Sequence, residues 1–305
     1  MKTKYTHRNK LILPLILLAT LLFSCEKLED MNINPNGVDP AIAHPNLLMS
    51  TIVSQTGLAV VGLGFGNIAG VMQHTQKDGW SGGHNGYDWS TNQDWAGYYG
   101  ILRNTDEMYK KSVDMELEFH QGVALVIKSY IFGLITDIWG DAPYSRALMG
   151  DQSGEENIKP AFDRQEDIYT GILADLDTAN TLLSKNQNDY LGISPAQDIL
   201  LKGDVDLWRK FANSLALRYY MRLSEKDPSM ARAGIEKIVN NPVGYPIILN
   251  TSDDVNMDYP GASTVDSWPT NTVFGQLEQG SFRRLKMCAT LVDAMQELND
   301  PRLEL

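Results

Sequence analysis

From residue 46 onward the apolar positions recur mostly at three- and four-residue steps, the spacing of amphipathic helices. The clearest run is 163–184. There Ile168, Ile172, Leu176, Ala179 and Leu183 fall on one face, Asp163 stands where an N-cap belongs, and Glu166 gives the capping-box spacing. Over 121–139, Val123, Ile127, Ile131, Leu134 and Ile138 leave more than one face apolar, which predicts a buried helix. Lys128 inside that run argues against a membrane span. Residues 204–225 are similar, with Trp208, Phe211, Leu215, Tyr219 and Leu223. Further helices are expected near 46–61, 94–114, 229–240 and 286–298, and a short strand at 245–249. The pattern predicts an all-α, mostly helical fold, an array of antiparallel helix pairs joined by modest loops. No strict internal repeat is present. Two stretches break the pattern: 76–93, rich in Gly and aromatics, and 250–285, polar with Gly, Pro and Trp. Long irregular loops in a compact domain are often functional.

The first residues follow another logic. Lys2, Lys4, Arg8 and Lys10 precede an apolar run from Leu11 to Phe23, too short to span a bilayer. This reads as a secretory signal over 1–24. Its exit, Leu22-Phe23-Ser24-Cys25, looks like a bacterial lipobox, which makes Cys25 the lipidated first residue of the mature chain. Several acyl chains anchor a protein stably without a spanning helix. Glu26, Glu29 and Asp30 follow, an acidic start similar to a surface-export signal. Residues 25–45, with three prolines, Asn-Pro and Asn-Gly, read as a tether. A helical domain is expected over 46–305.

Charge and cysteine count then exclude several classes. The net charge is −12, and without the four basic leader residues 22 basic residues face 38 acidic ones. That argues against a general nucleic-acid binder. Two cysteines make no disulfide scaffold and no Cys-rich zinc site. Gly79-Trp80-Ser81-Gly82-Gly83 has nucleophile-elbow spacing, but polar residues precede it where the elbow needs a buried strand. Gly64-Phe65-Gly66-Asn67-Ile68-Ala69 lacks the strand-turn-helix setting of a dinucleotide site. Asp253, Asp254, Asn256 and Asp258 alternate like ligands to a hard cation, yet Tyr259 and Val265 occupy the glycine and glutamate positions of an EF-hand. A solvated loop is the ordinary reading, calcium is only weakly supported, and no cofactor is expected.

The strongest anomaly is 80–99, which holds six aromatics in twenty positions against a chain average of 9%. Trp80, Tyr87 and Trp89 sit among Gly, Asn and Asp, where no core periodicity explains them. Aromatic faces beside hydrogen-bonding side chains are the usual anatomy of a ligand site. The candidate ligand-binding residues are Trp80, Asn85, Tyr87, Asp88, Trp89 and Trp95, with Trp268 in the second long loop. Trp95, Tyr98 and Tyr99 lie at helical spacing, so packing is the competing role for them.

Four segments carry a resemblance. They are 130–148 (YIFGLITDIWGDAPYSRAL), 162–183 (FDRQEDIYTGILADLDTANTLL), 204–224 (DVDLWRKFANSLALRYYMRLS) and 299–303 (NDPRL). In this order behind a lipobox they resemble the SusD/RagB family of Bacteroidetes outer-membrane nutrient-binding lipoproteins. The resemblance implies a scaffold similar to tetratricopeptide repeats, with irregular loops forming the ligand face. It implies oligosaccharide, less often peptide, as ligand, a SusC-like TonB-dependent transporter as partner, and no shared catalytic residues. Family members continue well beyond Asp-Pro-Arg-Leu, so it also implies a C-terminally short chain. Gly140 to Tyr144 should form a tight turn, and Asn213, Arg218 and Arg222 need polar partners on a mostly buried helix. A glycoside hydrolase on a helical scaffold and a protein-assembly scaffold without small ligand are the rival readings.

Overall fold

The structure, a computed structural model, describes residues 43–65, 67–77, 84–87, 94–261 and 285–304. Residues from His44 onward form one compact unit. Its main helices are α1 (Asn46–Phe65), α2 (Asn67–Val71), α3 (Ala96–Asp114), α4 (Glu118–Trp139), α5 (Glu155–Ile158), α6 (Gln165–Leu182), α7 (Val205–Arg222), α8 (Pro228–Val239) and α9 (Ala289–Glu297). The long ones pack in sequence: α1 on α3, α3 on α4, α4 on α6, α6 on α7 and α7 on α8. The all-α array of helix pairs is as the periodicity predicts.

The core sits where the patterns place it. Ile168, Ile172, Leu176, Ala179 and Leu183 are all buried, as are Val123, Ile127, Ile131, Trp208, Leu215 and Tyr219. The Asn46–Val71 and Glu118–Trp139 stretches are both long and apolar enough to cross a membrane. Most of α4 is instead buried among its neighbours, and Lys128 ends in an ion pair with Asp175 at 2.9 Å. In α1, Met49, Ile52 and Val53 are buried in the same core.

Two local expectations fail. Residues 245–249 form no strand. Their polar groups bond to α7 instead: Ile248 N–H donates to Ser214 Oγ at 2.9 Å, and Pro246 C=O accepts from Asn213 Nδ2 at 2.9 Å. A segment whose partners are helix side chains has no strand to pair with. Among the described residues the one sheet is β1 (Thr75–Lys77) antiparallel to β2 (Leu285–Met287), with Gln76 opposite Lys286. The capping box at 163–166 also fails. Helix α6 starts at Gln165, and its N-cap residue, Arg164, makes no side-chain cap. Asp141 supplies that cap from another segment, accepting Gln165 N–H at 2.9 Å. Asp163 faces the other way. Its Oδ2 accepts the N–H groups of Tyr144 and Ser145 at 2.9 and 2.8 Å, and its Oδ1 accepts the Ser145 hydroxyl at 2.7 Å.

Candidate functional site

That carboxylate exchange builds the site. Ala142 and Asp163 form an isolated β-bridge, with N–H to O distances of 3.2 and 3.0 Å. It joins the bend after α4 to the segment before α6; the tight turn expected over Gly140–Tyr144 is replaced by this bend and bridge, and the hydrogen-bonded turn follows at 145–148. Gly140, at φ 78°, lets the chain leave α4, a left-handed conformation that glycine adopts without steric penalty. Tyr99 on α3 clasps the same bend by donating to Pro143 C=O at 2.7 Å. Burial, and then Asp163, push the Tyr99 phenol up to about 12, so it stays a neutral donor.

Three elements thereby converge on Trp95, which stands just before α3. Asp94 Oδ1 accepts Ala96 N–H at 2.8 Å and fixes the entry to that helix. The Trp95 ring lies 5.8 Å from Tyr99, 5.8 Å from Trp139 at the end of α4, and 5.7 Å from Phe162. Tyr98 meets Trp139 edge-on at 5.6 Å. These spacings lie in the favourable range for aromatic pairs. The cluster is only half buried, and Phe162 is 61% exposed. Tyr98, its phenol pushed up by burial, has no hydrogen-bond partner among the described residues. The result is an aromatic platform with a phenol at its edge.

Of the residues singled out in the sequence, Trp95 belongs to this platform. Asn85 and Tyr87 lie on a turn beside β1. The Asn85 side chain pairs with the Lys77 backbone, accepting its N–H and donating to its C=O, both at 2.7 Å. Tyr87 is 57% exposed at φ 55°. Cys25, Trp80, Asp88, Trp89 and Trp268 lie outside the described residues. Sequence reasoning missed Trp139 and Phe162. The available signal was a large aromatic at each end of the 140–161 connection, next to Gly140 in one case and Asp163 in the other.

A larger cavity among the described residues lies elsewhere, about 730 Å3 between the end of α4 and helices α6, α7 and α8, lined by Asp137, Tyr169, Arg222 and Lys226 among others. Its chief polar groups serve one another. Tyr169 donates to Asp137 Oδ1 at 2.6 Å, and Arg222 pairs with Oδ2 of the same carboxylate. Arg218 stacks over Tyr130 and Tyr219, at 5.5 and 5.8 Å. Asp253, at the suggested cation loop, is held by Lys210 at 3.0 Å. Among the described residues no three His, Cys, Asp or Glu side chains converge as metal ligands.

A helical array carrying a half-exposed aromatic platform is the build of a ligand-binding scaffold. A sequence model of the SusD-like family, described as starch-binding and associating with the outer membrane, matches residues 45–305. The chain belongs to this family. No curated protein matches the sequence. Among solved structures, a SusD homologue of Bacteroides fragilis is 24% identical with a TM-score of 0.63, covering 86% of this chain and 52% of its own. A SusD/RagB family protein of Bacteroides thetaiotaomicron is 23% identical with a TM-score of 0.61, covering 85% and 53%. A chitin-binding SusD homologue from Flavobacterium johnsoniae is 21% identical with a TM-score of 0.61, covering 84% and 53%. These likenesses show the fold. The chain spans about half the length of the structures it matches.

Proposed function

We propose that this protein is a non-catalytic binding lipoprotein of the outer membrane that captures oligosaccharide at the cell surface. Cys25 carries its lipid anchor, and a SusC-like TonB-dependent transporter receives the ligand. The reading rests above all on the Trp95, Trp139 and Phe162 platform. Sugar rings present apolar C–H faces that stack on indoles, while the Tyr98 phenol can meet a hydroxyl. Trp80, Asp88, Trp89 and Trp268, with exposed Tyr87, complete the proposed binding surface, and no cofactor is invoked. Three acids on the segments that build the platform, Asp94, Asp141 and Asp163, each accept backbone N–H groups, which is consistent with the non-catalytic reading. Starch and chitin, in the family description and in one relative's name, nominate the first ligands.

Isothermal titration of the mature chain against malto- and chito-oligosaccharides tests this reading. Replacing Trp95 and Trp139 together by Ala should weaken binding at least about tenfold, as removal of buried aromatic anchors does. Binding that survives the double substitution would place the site elsewhere.

A further inference from the structure

Several helical glycines are forced by close neighbours, while Gly62 and Gly64 on α1 and Gly97 and Gly100 on α3 face open space. At Gly122, Gly133, Gly171 and Gly234 an added Cβ would lie 2.6, 1.9, 2.3 and 2.3 Å from Leu183, Tyr219, Tyr144 and Tyr220 respectively. Close packing accounts for these. At Gly97 and Gly100 on α3, nothing lies within 4 Å of the added carbon. Packing therefore does not explain why the start of α3 carries two residues that weaken a helix.

Both border a groove of about 480 Å3 between α1 and α3. Gln55, Leu58 and Ala59 form its α1 wall, and Tyr98, Arg103 and Asn104 line the α3 side. Tyr98 also belongs to the platform, through its edge contact with Trp139 at 5.6 Å. Tyr98 thus borders both the groove and the platform. Toward its other end, Arg103 and Asn104 have no hydrogen-bond or ion-pair partner among the described residues. From Gly97 to Asn104 the helix advances roughly 10 Å, room for more than one further sugar ring.

We propose that this groove continues the ligand site, taking the extension of a linear oligosaccharide whose first ring lies on Trp95 and Trp139. This rests on the oligosaccharide reading above. Bare backbone at Gly97 and Gly100 lets the chain lie close to α3, Leu58 and Ala59 offer an apolar wall, and Arg103 and Asn104 hydrogen-bond hydroxyls of the later rings. Such a site favours long unbranched chains over short ones.

The test is a length series by isothermal titration: maltose and maltohexaose, chitobiose and chitohexaose, with wild type, Gly100→Ala, Gly100→Leu and the pair Arg103→Ala with Asn104→Ala. The space around Gly100 lets the Leu variant fold, which its thermal melt verifies. Wild type should bind a hexamer about tenfold or more tightly than its dimer. Gly100→Leu should erase that ratio, Gly100→Ala should largely keep it, and the Arg103 and Asn104 pair should lower it. Equal affinity of wild type for dimer and hexamer overturns the groove and leaves the platform standing. So does a Gly100→Leu protein that keeps the full ratio. No binding of any of the four probes by wild type overturns both readings.

Discussion

Trp208 and Asp198 are joined inside the core, where the indole Nε1–H donates to Asp198 Oδ2 at 2.7 Å. Both side chains are buried. The same carboxylate accepts Gly203 N–H at 2.8 Å and, through Oδ1, Leu200 and Leu201 N–H at 3.2 and 3.1 Å. One acid therefore ties the loop before α7 to the largest residue that α7 buries. Asp198→Ala strands four donors and should cost about 2–4 kcal/mol in urea unfolding. Trp208→Phe, which removes one of those donors, should cost less.

The acids around the 140–145 bend should differ in what they hold. Asp141→Ala removes only a helix cap and should cost about 1 kcal/mol. Asp163→Ala leaves Tyr144 and Ser145 N–H without their acceptor, and it should reach further, loosening the platform as well as α6. Burial pushes the Asp163 carboxyl up, but bonds from the Ser145 hydroxyl and the Ser145 and Tyr144 N–H groups outweigh it and hold it below the ordinary carboxylate range. A depressed acid stabilises the fold above its unfolded value, and that contribution is lost as pH falls through the native one. The stability gap between wild type and Asp163→Ala should therefore narrow in acid. A gap independent of pH would contradict the assignment.

His120 gives a second pH signature, with its own window. Its Nε2 meets Asn46 Oδ1 at 2.7 Å, while its buried Nδ1 has no partner among the described residues. Burial first, then His44 beside it, lower its pKa from 6.5 to about 4. Below pH 6.5 the unfolded chain takes up a proton that the native imidazole refuses, so stability falls as pH falls from 6.5 toward 4. Relative to His120→Gln, wild type should lose about 3 kcal/mol over that window. Parallel urea midpoints for the two proteins would refute this.

Glycine substitutions should split in sign. An added Cβ at Gly133 would lie 1.9 Å from Tyr219 Oη, the hydroxyl that donates to Ser129 C=O at 3.1 Å. Gly133→Ala should destabilise by about 2–3 kcal/mol, and Tyr219→Phe should be non-additive with it in a double-mutant cycle. Gly100→Ala meets open space and should stabilise by up to about 1 kcal/mol. Equal melting shifts at the two positions would contradict the packing described.

Much of this was legible in the chain itself. Helical spacing located α1, α3, α4, α6, α7 and α8 because each buries apolar positions that local periodicity records, and it located α9 although only Met295 of that helix is buried. The family followed from motifs whose residues serve the fold: Gly140 releases α4, Trp208 anchors the core, and Asn213 bridges Asn180 and Pro246 at 2.9 Å each. In the aromatic-rich stretch, composition singled out Trp95 but could not name its companions. Trp139 and Phe162 are 44 and 67 positions away along the chain, and no local pattern marks a contact at such separation.

The sequence by itself determined the helices, their buried faces and the family, since each depends on spacing within a turn or two. Tertiary structure alone decided which acid caps α6 and which residues share the platform. Asp163 has the spacing of a cap, but the bridge to Ala142 brings three donors from Tyr144 and Ser145 within its reach, and leaves Gln165 to Asp141. Three bonds outcompete one, and only the folded chain puts those donors there.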